Sequence, residues 1–218
     1  MNVLSHRGYW KDPAEKNTET AFRRSFALGF GTETDLRDRL GTLVISHDPP
    51  TGGEMTAEAF FALYAECGQG LPLALNVKAD GLQQRLAELL ARFDVPESDY
   101  FVFDMAVPDA LGYVRRGMPT FTRRSDLEPV CAYYDQAAGV WADGFFADWG
   151  DLDELAGLLT VGKRICLVSP ELHGRPHRPF WSRLVDWDLV AHPALILCTD
   201  FPEEARALFA DRVARAGG

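Results

Sequence analysis

The run Gly31-Thr32-Glu33-Thr34-Asp35-Leu36-Arg37-Asp38-Arg39-Leu40-Gly41-Thr42-Leu43-Val44-Ile45-Ser46-His47-Asp48 decides how the chain is read. Residues 31–36 have the pattern of a strand. In a strand, side chains two apart share a face, so Glu33 and Asp35 point the same way. Residues 37–42 are too few for a crossover helix and suit a hairpin turn near 38–41. The return run, residues 43–46, then carries His47 and Asp48 back to a place opposite Glu33.

Upstream, residues 2–5 form another apolar run, and it ends in His6, Arg7 and Gly8. Two imidazoles, two carboxylates and a guanidinium thus converge from separated segments. Successive strand residues point apart, so the chain must bend at Gly8 for His6 and Arg7 to face one site. A guanidinium fork matches a phosphate. Imidazole can take a proton from a nucleophile or give one to a leaving oxygen near neutral pH. Two neighbouring carboxylates repel unless a cation sits between them. An all-oxygen set suits Mg²⁺ or Ca²⁺ rather than zinc. Metal-assisted acid/base chemistry on a phosphate ester is the reaction this layout suits.

The rest of the chain supports a regular alternation. Helix-like stretches cover residues 18–28, 55–67, 82–93, 108–116, 152–159, 180–187 and 202–214, with residues 130–136 a short helix or an irregular segment. Apart from the hairpin return, eight strands end near His6, Asp35, Lys78, Asp104, Thr122, Asp143, Ser169 and Asp200. Eight strands each followed by a helix is the (β/α)₈ TIM-barrel pattern, here with a β-hairpin arm after the second strand. Polar residues gather where the strands end, which is where such barrels place their sites.

With 218 residues, 47% of them hydrophobic and 25% charged, the chain is expected to be a single domain, residues 1–218. A net charge of −10 argues against nucleic acid or a polybasic membrane patch as partner. It leaves room for a small anionic substrate held by a few local cations or a metal. No run of about 18 apolar residues exists, so no membrane span is expected. The first strand begins at Asn2, so no leader is expected either. Cys67, Cys131, Cys166 and Cys198 are scattered and read as reduced, mostly buried thiols of a cytoplasmic protein.

The first fifty residues resemble the start of the glycerophosphodiester phosphodiesterase family, among the phospholipase-C-like barrels. The matching pieces are His6-Arg7-Gly8, Asn17-Thr18 with Ala21-Phe22, Gly29 through Glu33 and Asp35, Gly41, and His47-Asp48; a weaker echo is Thr199-Asp200-Phe201-Pro202. The resemblance implies a phosphoric diester hydrolase acting on a glycerophosphodiester-like, polyol-linked substrate. It implies His6 and His47 as the proton-transferring pair and Glu33 and Asp35 as ligands of a divalent cation, Mg²⁺ or Ca²⁺. It also implies a neighbouring substrate hydroxyl that attacks first to give a cyclic phosphate. Asn76 aligns with the third metal ligand, where the family usually has Glu; Asp104 or Glu171 could compensate. Lys78 shares the face of Asn76 and, with Arg7, would hold the phosphate.

Two further departures stand out. Glu15-Lys16-Asn17 occupies the place of Pro-Glu-Asn, so a basic residue replaces an acidic one. Only about two dozen residues separate Asp48 from the next strand, so the family's cap insertion is missing or reduced to one helix. Glu171, His173 and Arg175 form a charged loop suited to recognising substrate groups. Two other readings remain open: a barrel that binds a phosphorylated ligand without turnover, and a lyase that releases a cyclic phosphate.

Overall fold

The computed structural model describes residues 1–148 and 152–216, without the side chains of residues 211 and 213–216. The elements run β1 (Asn2–His6), α1 (Glu19–Ala27), β2 (Gly31–Arg39), β3 (Thr42–Ile45), α2 (Ala57–Cys67), β4 (Leu73–Val77), α3 (Gln83–Arg92), β5 (Tyr100–Phe103) and α4 (Val107–Val114). They continue with β6 (Phe121–Ser125), β7 (Gly139–Asp143), α5 (Leu152–Thr160), β8 (Arg164–Val168), α6 (Arg178–Val185), β9 (Leu195–Thr199) and α7 (Pro202–Ala216). The strand order is β5-β4-β2-β1-β9-β8-β7-β6, with β3 paired only to β2. An isolated parallel bridge joins Val102 of β5 to Thr120, the residue before β6. This is the (β/α)₈ barrel with its hairpin arm, and the chain divides into two compact units, residues 5–120 and residues 1–4 with 121–218.

In the unit of residues 5–120, the hairpin sets the register of the site. Arg39 pairs with Thr42, leaving Leu40 and Gly41 as a two-residue turn with φ of 48° and 87°. Positive φ at both positions is what a type I′ turn demands, and its twist matches that of the strands. The turn is therefore tighter than the four-residue span read from sequence. Leu36 pairs with Ile45, the last pair of the ladder, so His47 lies just past the paired strand. The Ser46 N–H donates to the Asp35 carbonyl at 3.0 Å, and His47 follows immediately.

Helices α1 and α2 cover this part of the sheet through aromatic contacts. Phe22 meets Phe60 edge to face at 4.8 Å and Phe26 meets Tyr64 at 5.8 Å, arrangements that ring quadrupoles favour. The Thr56 hydroxyl caps α2 by accepting from the Ala59 amide. Helix α2 is the only helix between His47 and β4 among the described residues, in line with a reduced cap.

The unit of residues 1–4 and 121–218 packs Val140, Ile165, Leu167, Leu195 and Leu197 of its strands against Leu155, Trp181, Leu184 and Phe209 of its helices. Here the alternation of eight strands and eight helices breaks. Between β6 and β7 the described residues form turns, the irregular one of the two forms expected for residues 130–136. Side chains tie this connection back to its strand. The Thr122 hydroxyl donates to the Ala132 carbonyl, and the Tyr133 hydroxyl donates to the Phe121 carbonyl. Pro129 lacks an N–H, and Tyr133 adopts φ 41°, which a helix excludes.

All four cysteines are reduced thiols, but only Cys166 and Cys198 are fully buried; Cys67 is exposed at the end of α2. Among the described residues no helix is long and apolar enough to cross a membrane.

Gly8 couples fold and site. Its φ is +80°, and a Cβ there would lie 2.7 Å from the Ala21 Cβ and 3.0 Å from the Ala21 carbonyl carbon. Gly8→Ala is expected to cost about 3 kcal/mol through backbone strain and overpacking against α1. Urea unfolding should show a lower midpoint with an unchanged slope.

Candidate active site

The strand pleat places Glu33 and Asp35 on one face of β2, and both are buried, with 2% and no exposure respectively. Parallel pairing sets Asp35 beside Asn76 of β4. Around this trio the chain supplies counter-charges. His6, the last residue of β1, brings its Nε2 to 4.0 Å from Glu33 Oε2. The Arg7 backbone N–H lies 3.2 Å from the same oxygen and donates to the Glu33 carbonyl at 3.0 Å. Arg7 has φ 58°, a left-handed bend at the strand end that turns its side chain back toward the sheet. Its Nε approaches Asp35 Oδ2 to 3.1 Å. That nitrogen makes no aligned hydrogen bond, so the contact is electrostatic.

Lys78 reaches in from the end of β4. Its Nζ donates to Asp104 Oδ2 at 3.0 Å and stands 3.9 Å from Asp35 Oδ1. Asp104 is thus a partner of Lys78 rather than a replacement for the acid missing at position 76. Asn17, which the sequence marked as part of the resemblance without giving it a role, joins the site. Its Nδ2 donates to Asp35 Oδ2 at 2.9 Å, and its Oδ1 accepts from the Thr34 hydroxyl at 2.9 Å. Its φ of 60° belongs to a conformation that Asn tolerates better than most residues. An Asn in a polar loop between a strand and a helix was the available signal.

His47 stands at the wall of a cleft of about 690 Å³ that Arg7, Lys16, Asn17, Ser46 and Asp48 also line. Its side chain is 43% exposed, and Asp48 Oδ1 lies 2.9 Å from its Nδ1. The Arg37 guanidinium donates to its backbone carbonyl. Arg7 and Asn17 therefore link the cleft to the buried carboxylates. His6 contacts Glu33, whereas His47 faces the cleft.

Neither a family model nor a curated protein matches the sequence. Solved structures do match its fold. The glycerophosphodiester phosphodiesterase of Agrobacterium tumefaciens aligns over 97% of this chain and 99% of its own, with a TM-score of 0.70 at 16% identity. That of Thermotoga maritima aligns over 94% and 97%, with a TM-score of 0.58 at 13% identity. A glycerophosphoryl diester phosphodiesterase of Parabacteroides distasonis aligns over 96% and 86%, with a TM-score of 0.65 at 13% identity. The fold is that of the glycerophosphodiester phosphodiesterases.

Within this phosphodiesterase fold, the residues can be tested for a divalent cation. Among the described residues no three His, Cys, Asp or Glu side chains form a metal cage. At this site two buried oxygens nevertheless lack a hydrogen-bond partner among the described residues, Asp35 Oδ1 and Asn76 Oδ1. Asn76 turns its Nδ2 toward Glu33 Oε1 at 3.3 Å, because the opposite orientation would set two oxygens against each other. That leaves its Oδ1 open beside Asp35. Oxygen donors of this kind fit a hard cation, with Glu33 completing the set.

The loop after β8 is engaged elsewhere. Glu171 accepts from the Thr199 hydroxyl, the Asp200 amide and Ser169, so its oxygens are taken. His173 is held by Asp143 at 2.6 Å, and Arg175 by Asp148 and the Gly144 carbonyl. These three side chains tie their loop to the neighbouring loops.

Burial, together with the adjacent Asp35 carboxylate, pushes Glu33 up to about 7, against the opposing pull of His6, Arg7 and Lys78. A carboxylate raised from the ordinary 4.5 binds its proton more tightly in the folded state than in the unfolded one. Its stabilising contribution is complete below 4.5 and is lost as pH rises through 7. In EDTA, stability is therefore expected to fall from pH 5 to pH 8 by on the order of a few kcal/mol more in the native chain than in Glu33→Gln. Equal pH profiles from chemical denaturation would contradict it.

Proposed function

We propose that the chain is a phosphoric diester hydrolase, a single phosphodiesterase-like domain spanning residues 1–218. Its substrate would be a glycerophosphodiester-like ester of phosphate with a polyol. The observation that carries this reading is the linked cluster in which Arg7 and Asn17 join the buried Glu33–Asp35–Asn76 trio to the cleft bearing His47. The likeness in fold to solved phosphodiesterases supports it. The four reduced thiols suit a reducing, cytoplasmic setting.

The scissile phosphate would meet Arg7, whose guanidinium lines the cleft, and Lys78, whose ammonium stands between Asp35 and Asp104. His6 and His47 move the protons. One imidazole accepts the proton of a substrate hydroxyl next to the phosphate as its oxygen bonds to phosphorus. The other donates a proton to the departing alcohol oxygen as the P–O bond breaks, leaving a cyclic phosphate for water to open. Glu33 stands beside the His6 imidazole, and Asp48 orients the ring of His47. Glu33, Asp35 and Asn76 would hold a hard divalent ion, Mg²⁺ or Ca²⁺, and such an ion supplies positive charge to neutralise the phosphate. The open approach left by a single helix after His47 admits a polyol.

A second reading, a barrel that binds a phosphorylated ligand without turnover, draws on two features. Arg7 and Lys78 already face carboxylates, and position 76 carries no charge.

Four experiments separate these readings. With a glycerophosphodiester substrate, His6→Ala and His47→Ala are each expected to lower kcat/KM at least 100-fold while far-UV circular dichroism is unchanged. Activity within tenfold of the native chain would reject their proton-transfer roles. Removing divalent ions with EDTA is expected to lower kcat/KM, and Mg²⁺ or Ca²⁺ to restore it. Ligand binding by calorimetry without turnover or ion dependence would favour the binding barrel. Phosphorus NMR of the product tells a released cyclic phosphate from its hydrolysed form.

A further inference from the structure

The cleft next to His47 contains a cation that the proposed chemistry leaves unused. Lys16 follows the short 3₁₀ turn Pro13–Glu15 and precedes Asn17, whose side chain holds Asp35. Among the described residues Lys16 has no carboxylate within ion-pair distance. Its Nζ rests 4.4 Å from the centre of the Trp10 ring. A cation–π contact positions an ammonium without neutralising its charge, so Lys16 presents a net positive charge to the cleft it lines.

The acids nearby are committed to other groups. Glu15, its chain neighbour, is held at about 2 by Arg24 and by the Lys11 amide. Three more acids line the cleft. Glu19 pairs with Arg23 at 2.7 Å, Glu54 accepts from the amides of Thr51 and Gly52, and Asp48 sits on His47. Arg7 and Lys78 differ from Lys16, because both already face Asp35. A volume of about 690 Å³ is also far more than one phosphate group fills.

We propose that Lys16 makes the cleft selective for phosphodiesters whose alcohol portion carries a second anionic group, a carboxylate or a phosphate monoester. The proposal rests on the reading of the cleft as a phosphodiester site. It adds that the substrate bears at least two negative charges, one at the scissile phosphate and one at Lys16. In a chain of net charge −10, such selectivity requires a local cation without a partner, and Lys16 supplies it.

The test compares three synthetic phosphodiesters of glycerol: one with only hydroxyls on the second alcohol, one with a terminal carboxylate there, and one with a terminal phosphate. The native chain is expected to favour one or both charged substrates by about tenfold in kcat/KM, and the two charged arms show which anion it takes. In Lys16→Gln that ratio should fall below threefold, and Lys16→Arg should keep it. Raising salt should also shrink it, as screening requires. Equal kcat/KM for all three substrates in the native chain would overturn the proposal while leaving the phosphodiesterase reading intact. An equal loss on all three in Lys16→Gln would place Lys16 on the scissile phosphate and would also overturn it.

If no substrate turns over, the phosphodiesterase reading fails and calorimetry still decides on Lys16. 3-Phosphoglycerate is expected to bind about ten times more tightly than glycerol 3-phosphate to the native chain and equally to Lys16→Gln. Equal binding of the two by the native chain would overturn the proposal.

Discussion

Asp35 is a carboxylate with no solvent exposure, and the architecture of the site follows from compensating its charge. An uncompensated buried carboxylate would be costly enough to take up a proton or to unfold its surroundings. Asn17 donates to one oxygen, Arg7 approaches that same oxygen, and Lys78 stands off the other. The backbone of Asp35 takes part as well, since its carbonyl accepts the Ser46 amide just before His47. One strand residue thereby fixes the loop after β1, the end of β4 and the return arm of the hairpin. The left-handed backbones of Arg7 and Asn17 are the local strain that this convergence requires.

The arrangement is mixed rather than acidic. Position 76 offers a neutral amide, position 16 an ammonium, and Lys78 is shared between Asp35 and Asp104. Each change moves the local field toward positive, although the chain as a whole is acidic. The field at a cleft is set by the few side chains that line it, and bulk charge gives no guide to it. The oxygens of Asp35 and Asn76 that accept no hydrogen bond mark where a hard cation would still find donors. Glu33 stands at the junction of these effects, raised by burial and by Asp35 and pulled back by His6, Arg7 and Lys78.

The unit of residues 1–4 and 121–218 shows the same economy in another form. Its polar loop residues, Glu171, His173 and Arg175, satisfy hydroxyls, carboxylates and carbonyls of neighbouring loops. The turns between β6 and β7 are held by hydroxyl-to-carbonyl bonds where a helix would have used its own amides. A barrel strand can dispense with its helix when side chains satisfy the connecting backbone.

Much of this was legible in the sequence by itself. The period-two pattern of residues 31–36 determined that Glu33 and Asp35 share a face, because strand geometry is local. The short polar link before His47 determined a hairpin, and the alternation of apolar strands with amphipathic helices determined the barrel. Tertiary structure decided what depends on partners distant in sequence. The two-residue turn at Leu40 and Gly41 set the register of β3 on β2. Packing across strands chose Asn17, Arg7 and Lys78 as the groups that compensate Asp35 and made Asp104 a partner of Lys78. The capping bonds of Thr122 and Tyr133 removed one helix. Periodicity encodes which face a side chain takes, whereas the identity of its neighbour is set only when separate strands are brought into register.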